Sequence, residues 1–411
     1  MQTTFTNRMN EHWIQTLDLA SSEPLTKGWR QLETATNQIN TGATRWQVIQ
    51  LPTGSGKTEA LKVLCAIQEP IPHPGILIIT KFQDSADEIA RGINVLAGRT
   101  VARSVHKNAP AEGIELGFVP VLVITHAAYR LALQELADVR ESPKWERLRR
   151  YECGARSWLI IDEAFDWTDS YSVNLGDLRA MSGDLSGALP CDLRMIANRL
   201  QSLAISLTDI EQAGKSDRPL TIAHISALDR SELDRLQNTV SRLEDEVFAE
   251  WADTGESTDS PTDACTEKTL TSPKENYLNL LQALTAIARI GHGWISRRGG
   301  KVMLHSSRSL LGMDGMRGII LDATAEIDPA YSLMSEQLEL LPRPQGIRCY
   351  RNATLHVSYG HKVGKDYLAQ NAAKEWPIIW GSLEKRLTGK HVLVCAHNAD
   401  RSFGQTSVSS A

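Results

Sequence analysis

Two glycines, a lysine and a threonine lie close together in the segment Leu51–Thr58, which reads LPTGSGKT. Glycine adopts backbone conformations that other residues avoid, so Gly54 and Gly56 allow main-chain N–H groups to point inward at a chain of phosphates. In such a loop Lys57 reaches the β- and γ-phosphates, and the hydroxyl of Thr58 ligates Mg²⁺. We therefore predict that one loop binds a nucleotide phosphate chain through Pro52, Thr53, Gly54, Ser55, Gly56, Lys57 and Thr58.

The sequence around this loop has the pattern that a phosphate-binding loop requires. An apolar run, Trp46–Leu51, precedes it and predicts a strand, and the helical pattern EALKVLCAI follows it. The amino terminus of that helix adds partial positive charge beside the phosphates. A chance Gly-Ser-Gly turn is the alternative, and the flanking strand and helix argue against it.

A second chemical signal is a pair of adjacent carboxylates. The apolar run Trp158–Ile161 leads directly into Asp162 and Glu163. A buried strand that ends in two carboxylates places them at the edge of the sheet where the phosphate loop also lies. We predict that Asp162 holds Mg²⁺ through its water shell and that Glu163 orients and deprotonates the attacking water.

The carboxylate pair also separates the classes of phosphate-loop proteins. Small-molecule kinases need no second carboxylate as a base for water, and GTPases usually carry an Asn-Lys-x-Asp motif that is absent here. Hydrolysis of ATP, with Mg²⁺ as the cofactor, is the reaction that the residues favour.

The elements that position these groups alternate between apolar runs and helical patterns. Nearly continuous apolar character is typical of strands that are covered on both faces, so the alternation predicts a parallel sheet in an α/β domain. The predicted strands are Trp46–Leu51, Gly75–Thr80, Phe118–Thr125, Trp158–Ile161, Gly318–Leu321 and His391–Cys395.

The alternation stops after residue 165. Residues 166–315 show mainly helical periodicity, with helices predicted at Leu193–Leu207, Ser231–Trp251 and Glu275–Ile290. Residues 253–274 are rich in Thr, Ser, Asp and Pro, which predicts a disordered linker. We interpret 166–315 as a large helical insertion.

These motifs resemble those of superfamily 2 helicases and translocases, the DEAD/DEAH-like group that includes type III restriction subunits. The loop at 53–58 is similar to their motif I, and Asp162-Glu163-Ala164-Phe165 to their motif II. The resemblance implies a RecA-like P-loop domain of three layers, ATP and Mg²⁺ as ligands, and movement along nucleic acid. It favours DNA over RNA.

The resemblance assigns further residues. Gln31 lies 23 residues before Gly54, the spacing of a glutamine that reads adenine in many members, although Gln38 is also nearby. Thr80 and Lys81 resemble motif Ia, and Thr125 and His126 resemble motif Ib, whose residues contact the nucleic-acid backbone. The alternative for these four residues is that they cap loops.

Asp322, Ala323 and Thr324 resemble motif III, which couples nucleotide state to strand binding, although Asp322 replaces the usual serine. A basic segment precedes them: residues 289–317 contain six Lys and Arg residues and Trp294. This segment is either a single-strand contact with base stacking or a solvated basic turn.

The resulting organisation has five parts. We expect a helical lead-in (1–45), most of a RecA-like domain (46–165), the insertion (166–315), the end of that domain (316–345), and an incomplete second RecA-like domain (346–411). Nothing after His391–Cys395 resembles the motif V or the arginine-bearing motif VI that complete the family's ATP site. Either the chain is truncated, or a partner chain supplies the missing motor domain.

Composition limits the classes of protein to which this chain can belong. The chain has 411 residues, a net charge of −5 and six cysteines without CxxC spacing. It has no apolar run long enough for a membrane span and no signal peptide, so we expect a cytoplasmic protein. The expected function is an ATP-dependent DNA helicase or translocase of superfamily 2. The alternatives are an ATP-binding fragment or regulatory subunit without turnover, and a restriction-type translocase subunit.

Overall fold

A computed structural model of the chain describes residues 4–42, 44–67, 75–110, 116–139, 142–213, 229–244, 272–347 and 365–387. The chain divides into two compact units. One comprises Met1–Gly255 and Ser272–Cys349, and the other comprises Glu256–Thr271 and Tyr350–Ala411.

The sheet of the first unit has these strands within the described residues: β1 (Trp46–Ile49), β2 (Gly75–Thr80), β3 (Ala102–Val105), β4 (Val121–Thr125), β5 (Arg150–Tyr151), β6 (Gly154–Asp162), β10 (Gly318–Leu321) and β11 (Leu338–Leu340). Seven of them are parallel, in the order β11-β1-β10-β6-β2-β4-β3. The two-residue strand β5 pairs antiparallel with β6. One strand, β10, therefore separates β1, which precedes the phosphate loop, from β6, which leads into the carboxylate pair.

Helices cover both faces of the sheet, which gives three layers. Side chains along a strand point alternately to opposite faces. In β2, Ile76 and Ile78 pack into one apolar cluster, and Leu77 and Ile79 pack into another on the other face. The described α-helices of the first unit, in chain order, are α1 (Phe5–Glu11), α2 (Glu23–Asn40), α3 (Lys57–Ala66), α4 (Gln83–Ala97), α5 (His126–Asp138), α6 (Pro143–Arg149), α7 (Leu175–Ala188), α8 (Cys191–Gln212), α9 (Arg230–Arg242), α10 (Pro273–Ile290) and α11 (Pro329–Leu333). A π-helix, His12–Thr16, follows α1.

This architecture confirms the predicted fold class, an α/β domain with a parallel sheet of the RecA-like kind. The apolar strands are buried along their whole length, as their composition predicts. Burying one Ile or Leu side chain contributes roughly 1.5–3 kcal/mol, so the two clusters are the main source of stability in this domain.

The insertion between β6 and β10 has its own core, formed by α7 to α10. It also contains an antiparallel sheet of three strands, which helical periodicity did not predict. The strands are β7 (Thr168–Asn174), β8 (Trp294–Arg298) and β9 (Lys301–Ser309), in the order β7-β9-β8. Polar residues at buried positions, such as Asp169 and Ser306, conceal the alternation by which strands are recognised.

The second unit is described over one helix, α12 (Lys365–Leu387), which contains Pro377. In it, Trp376 and Trp380 stack with ring centroids 6.2 Å apart. The predicted strand His391–Cys395 and residues 253–271 of the predicted linker lie outside the described residues, as does most of the predicted second domain.

No helix among the described residues has both the length and the apolar character that crossing a bilayer requires.

Candidate functional site

The phosphate loop, the carboxylate pair and Asp322 lie together at the carboxyl edge of the parallel sheet. The amide of Asp322 donates to the carbonyl of Ile49 (3.2 Å), and the amide of Glu163 donates to the carbonyl of Leu321 (3.1 Å). These two hydrogen bonds tie the ends of β1, β10 and β6 to one another. Ligands of open α/β sheets bind at this edge, where the strands end and the loops open.

The phosphate loop depends on its two glycines. Gly54 has φ 76° and Gly56 has φ 77°, a left-handed conformation that glycine adopts without strain. Inside the loop, the amide and the hydroxyl of Ser55 both donate to the carbonyl of Pro52, at 3.2 and 2.7 Å. The first helical residues after the loop are Lys57 and Thr58.

Lys57 lies over the loop and faces three carboxylates. Its Nζ donates to the carbonyl of Leu51 (3.1 Å). Burial lowers the pKa of Lys57, and the negative charges of Asp162, Glu163 and Asp322 oppose this shift. The lysine therefore lies within the electrostatic reach of all three carboxylates. Asp322, which the sequence suggested only as a coupling residue, belongs to this charged group.

The two adjacent carboxylates have different surroundings. The side chain of Asp162 is buried, and burial and the neighbouring charge of Glu163 raise its pKa to about 6, against the attraction of Lys57. Glu163 is exposed and has φ 73°. A residue with a side chain is strained in this conformation by about 1–2 kcal/mol, and such strain concentrates at functional sites.

Asp322 begins a tight turn. Its Oδ1 accepts hydrogen bonds from the amide and the hydroxyl of Thr324, at 2.8 and 2.7 Å. Burial, together with the negative charge of Asp322, raises the pKa of the Tyr331 phenol. The turn therefore fixes one carboxylate oxygen, and the partly buried Ala323 lies between the two polar residues.

The residues similar to motifs Ia and Ib end two neighbouring strands, and Thr80 is the register partner of Thr125. Both threonines are buried, and the hydroxyl of Thr125 accepts from the amide of Ala128 at the start of α5. Thr125 is therefore the amino-terminal cap of α5. Lys81 is exposed, with its Nζ 5.4 Å from the ring centroid of Phe82.

His126 lies beside the carboxylate pair. Its Nε2 is 3.1 Å from the main-chain carbonyl of Asp162, and its ring makes an edge contact with Phe165 at 5.3 Å. Because a carbonyl can only accept, Nε2 carries the proton. Burial and the charge of Lys81 lower the pKa of His126, while the bond to Asp162 and the charge of Glu163 raise it, and the net shift is downward.

Gln31 is directed to another loop. Its Nε2 donates to the carbonyl of Pro342 (2.7 Å), which follows β11. Gln38, the alternative candidate, is exposed and lines a separate open pocket with Thr41 and Arg45.

Sequence reasoning missed two tryptophans that support the phosphate loop. The indole N–H of Trp29 donates to the carbonyl of Ser55 (3.1 Å), and Trp29 makes an edge contact with Trp13 at 5.4 Å. The ring of Trp13 lies against Gly56. Nearby, Nε2 of His12 is 3.0 Å from Oε2 of Glu59 in α3. The aromatic content of the lead-in was the only available signal, since nothing in its spacing points to the loop.

The basic segment 289–317 is neither a turn nor a free basic surface. It forms β8 and β9, and most of its arginines bind partners within the chain. Trp294 remains partly exposed and stacks on His305 with centroids 5.5 Å apart. The engaged pairs are Arg289–Asp138, Arg297–Glu211, Arg308–Asp138, Arg308–Asp169 and Arg317 with the carbonyl of Thr44.

Comparison with known proteins gives little further information. No family model matches the chain, and no curated protein matches it. One solved structure to which it is similar is described as "Structure of S. tokodaii Xpd4", with 14% sequence identity and a TM-score of 0.38. The match covers 72% of this chain and 57% of that one, so the chain spans little more than half of its length. A similarity of this size carries no conclusion about activity.

Proposed function

We propose that this chain binds Mg·ATP at the carboxyl edge of its parallel sheet and hydrolyses it. The observation that carries the proposal is the position of Lys57, at the start of α3 and within the reach of Asp162, Glu163 and Asp322. A phosphate loop alone would support binding of any nucleotide. A loop that faces a buried and an exposed carboxylate supports attack of water on the terminal phosphate.

Each residue has a separate task in this proposal. The loop amides and Lys57 bind the phosphate oxygens and hold the terminal phosphate in place. Glu163, exposed at the edge, orients and deprotonates the attacking water. Asp322, restrained by its turn, adds negative charge beside Lys57 and limits where the ammonium group can lie.

The side chains fit a divalent cation. Mg²⁺ prefers oxygen ligands, and Thr58 and Asp162 would hold it, directly or through water. The raised pKa of Asp162 is consistent with this role, because a buried carboxylate without a full counter-charge is costly and a cation removes the cost. When bound, the cation would neutralise charge on the phosphates.

We further propose that hydrolysis drives movement along nucleic acid, as in superfamily 2 helicases and translocases. The support is the position of the exposed Lys81 and the partly exposed His126, which follow two neighbouring strand ends beside the site. DNA as the substrate, and a second motor domain in this chain or a partner, belong to the same proposal. A restriction-type translocase subunit would share this site and differ in its partners.

Nucleotide binding without turnover is the second candidate. The charges that act on Asp162 within the described part of the chain are those of Glu163 and Lys57, and no arginine is among them. An arginine that stabilises the charge on the transferred phosphate contributes about 10³–10⁵ in rate. This second candidate binds Mg·ATP but lacks an arginine placed to speed its hydrolysis.

ATP hydrolysis by the purified chain, with and without single-stranded DNA, distinguishes the two candidates. Turnover that rises with DNA and is lost in both Lys57→Ala and Glu163→Gln supports the motor. Binding of Mg·ATP that is lost in Lys57→Ala, with no turnover in any variant, supports the binding module. Turnover that survives in Glu163→Gln would contradict the assignment of the base.

A further inference from the structure

Helix α5 presents a polar stripe of four residues that are spaced four apart: His126, Arg130, Gln134 and Asp138. Residues at this spacing lie on one face of a helix, and twelve steps along it span about 18 Å. All four side chains contact the segment that runs from Asp162 into the insertion, or the insertion itself. The stripe therefore joins the carboxylate pair at one end to the insertion at the other.

At the amino end, the stripe holds one peptide group. The carbonyl of Asp162 accepts from Nε2 of His126 (3.1 Å), and the amide of Glu163 donates to the carbonyl of Leu321 (3.1 Å). These two groups belong to the same peptide bond, so both of its polar atoms are fixed. The orientation of that peptide plane sets φ of Glu163, which is 73°. His126 thus helps to maintain a strained backbone that presents the Glu163 carboxylate.

The middle of the stripe holds the next residues of the same segment. Arg130 donates to Oδ2 of Asp166 (2.9 Å) and to the carbonyl of Thr168 (2.8 Å). Gln134 donates to Oδ1 of Asp169 (2.8 Å), whose side chain is almost completely buried. Asp166 lies three residues after Glu163. The contacts of α5 therefore continue along this segment from the carboxylate pair into the insertion.

At the carboxyl end, the stripe reaches the insertion through ion pairs. Oδ2 of Asp138 is 2.6 Å from Arg289 in α10, and its Oδ1 is 2.9 Å from Arg308 in β9. Arg308 also pairs with Oδ2 of Asp169 at 3.0 Å. The Arg308 side chain is largely buried, so this network is less screened by solvent than a surface pair.

We propose that His126 is a positioning residue for the peptide between Asp162 and Glu163, and that α5 makes this positioning depend on where the insertion lies. A change in the insertion that separates its two arginines from Asp138 would shift α5 and loosen the Asp162–Glu163 peptide. The insertion is thereby a regulator of the carboxylate pair. The expected effect on turnover rests on the proposed ATP hydrolysis. The expected effect on the mobility of the Asp162–Glu163 peptide does not.

The first test separates the hydrogen bond of His126 from its ring contact. His126→Phe keeps a ring against Phe165 and removes the donor, and His126→Gln restores an N–H donor. We expect the amide of Glu163 to exchange with deuterium at least about tenfold faster in His126→Phe, and near the wild-type rate in His126→Gln. Where the wild type hydrolyses ATP, kcat should fall about 10–100-fold in His126→Phe while the Kd for Mg·ATP stays within about twofold.

The second test breaks the far end of the stripe. Arg289→Gln with Arg308→Gln removes both ion pairs to Asp138, and Arg289→Gln alone is the milder form for the case that the double variant unfolds. Arg297→Gln is the control, since it breaks an insertion ion pair, with Glu211, that does not involve α5. We expect the amide of Glu163 to exchange faster than in the wild type in the double variant and in Arg289→Gln. In the Arg297→Gln control it should exchange at the wild-type rate.

Two outcomes overturn the proposal. One is an unchanged exchange rate at Glu163 in both His126→Phe and the double arginine variant. The other is equal acceleration in the Arg297→Gln control, which would reflect general loosening of the insertion. An inactive wild type would contradict the proposed hydrolysis alone, because the exchange measurement does not depend on turnover.

Discussion

The indole ring of Trp13 lies so close to Gly56 that a β-carbon on this glycine would be 2.4 Å from the ring. Gly56 also has φ 77°. The glycine is therefore required for two independent reasons, its left-handed backbone and the space that Trp13 occupies. The lead-in helices and the phosphate loop therefore pack together as one structural unit.

This contact predicts the effect of Gly56→Ala. We expect loss of measurable Mg·ATP binding and a fall in the free energy of unfolding of more than about 2 kcal/mol, because strain and steric overlap add. Gly98→Ala is the matched control. Gly98 is also left-handed (φ 66°) but has nothing within 4 Å of the β-carbon position, so that variant should cost only about 1–2 kcal/mol.

Trp13→Ala in the Gly56→Ala background separates the two reasons. Removing the ring should recover part of the nucleotide binding and leave the backbone strain. Calorimetric binding and thermal unfolding measure both quantities. Equal effects of Gly56→Ala and Gly98→Ala would show that the Trp13 contact has no energetic weight.

The buried carboxylate of Asp162 predicts a pH dependence of stability. Its pKa is raised from about 3.8 to about 6, so the folded state binds the proton more tightly than the unfolded state. The free energy of unfolding therefore falls as pH rises from about 4 to about 6, and above that it stays lower by up to about 3 kcal/mol. Without nucleotide, Asp162→Asn should raise Tm by a few degrees at pH 8, although Lys57 loses a counter-charge and offsets part of this gain.

At pH 3 and below the difference between Asp162→Asn and the wild type should disappear, because the carboxyl is then largely neutral in both states. Thermal unfolding between pH 3 and 8 tests the relation. An Asp162→Asn variant that is less stable than the wild type at pH 8 would contradict the account of this carboxylate.

Arg156, near the start of β6, is a fully buried arginine that binds main-chain carbonyls. Burial lowers its pKa to about 10. Its guanidinium donates to the carbonyls of Leu116, Val119, Leu148 and Arg150, at 2.6 to 2.8 Å. This one side chain therefore connects the turns at the opposite end of the strand that delivers Asp162.

We expect Arg156→Met to lower the free energy of unfolding by roughly 3–5 kcal/mol, since it leaves several buried carbonyls without donors. Arg156→Lys should recover little, because an ammonium has three donors and lacks the planar fork. Arg150→Met is the control, with an exposed side chain and an expected change below about 1 kcal/mol. Urea denaturation measures all three variants, and a small effect of Arg156→Met would contradict this role.

The sequence was sufficient to predict the five inner strands of the described parallel sheet and the convergence of Lys57 with Asp162, but not the short edge strands β3 and β11. Long apolar strands must be buried on both faces, and parallel strands bring their carboxyl ends to the same edge. The fold class alone therefore brings together the polar side chains that follow those strands.

Other features depend on contacts between distant segments, and no local pattern encodes them. Trp29 finds its acceptor, Ser55, only after α2 has packed beside the loop. The arginines of β8 and β9 look like a basic surface in sequence, but their acidic partners come from α5, β7 and α8. The antiparallel sheet escaped prediction because Asp169 is buried there in an ion pair, where a strand pattern leads one to expect an apolar residue.

Titration calorimetry of Mg·ATP on the wild type, Lys57→Ala and Lys81→Ala tests most directly whether the phosphate loop binds a nucleotide. We expect saturable, Mg²⁺-dependent binding to the wild type and to Lys81→Ala. Lys57→Ala should bind at least about tenfold more weakly, because one charge-assisted contact contributes about 1.5–3 kcal/mol. Equal affinity in all three proteins, or no saturable binding to the wild type, would contradict the assignment of this edge of the sheet as a nucleotide site.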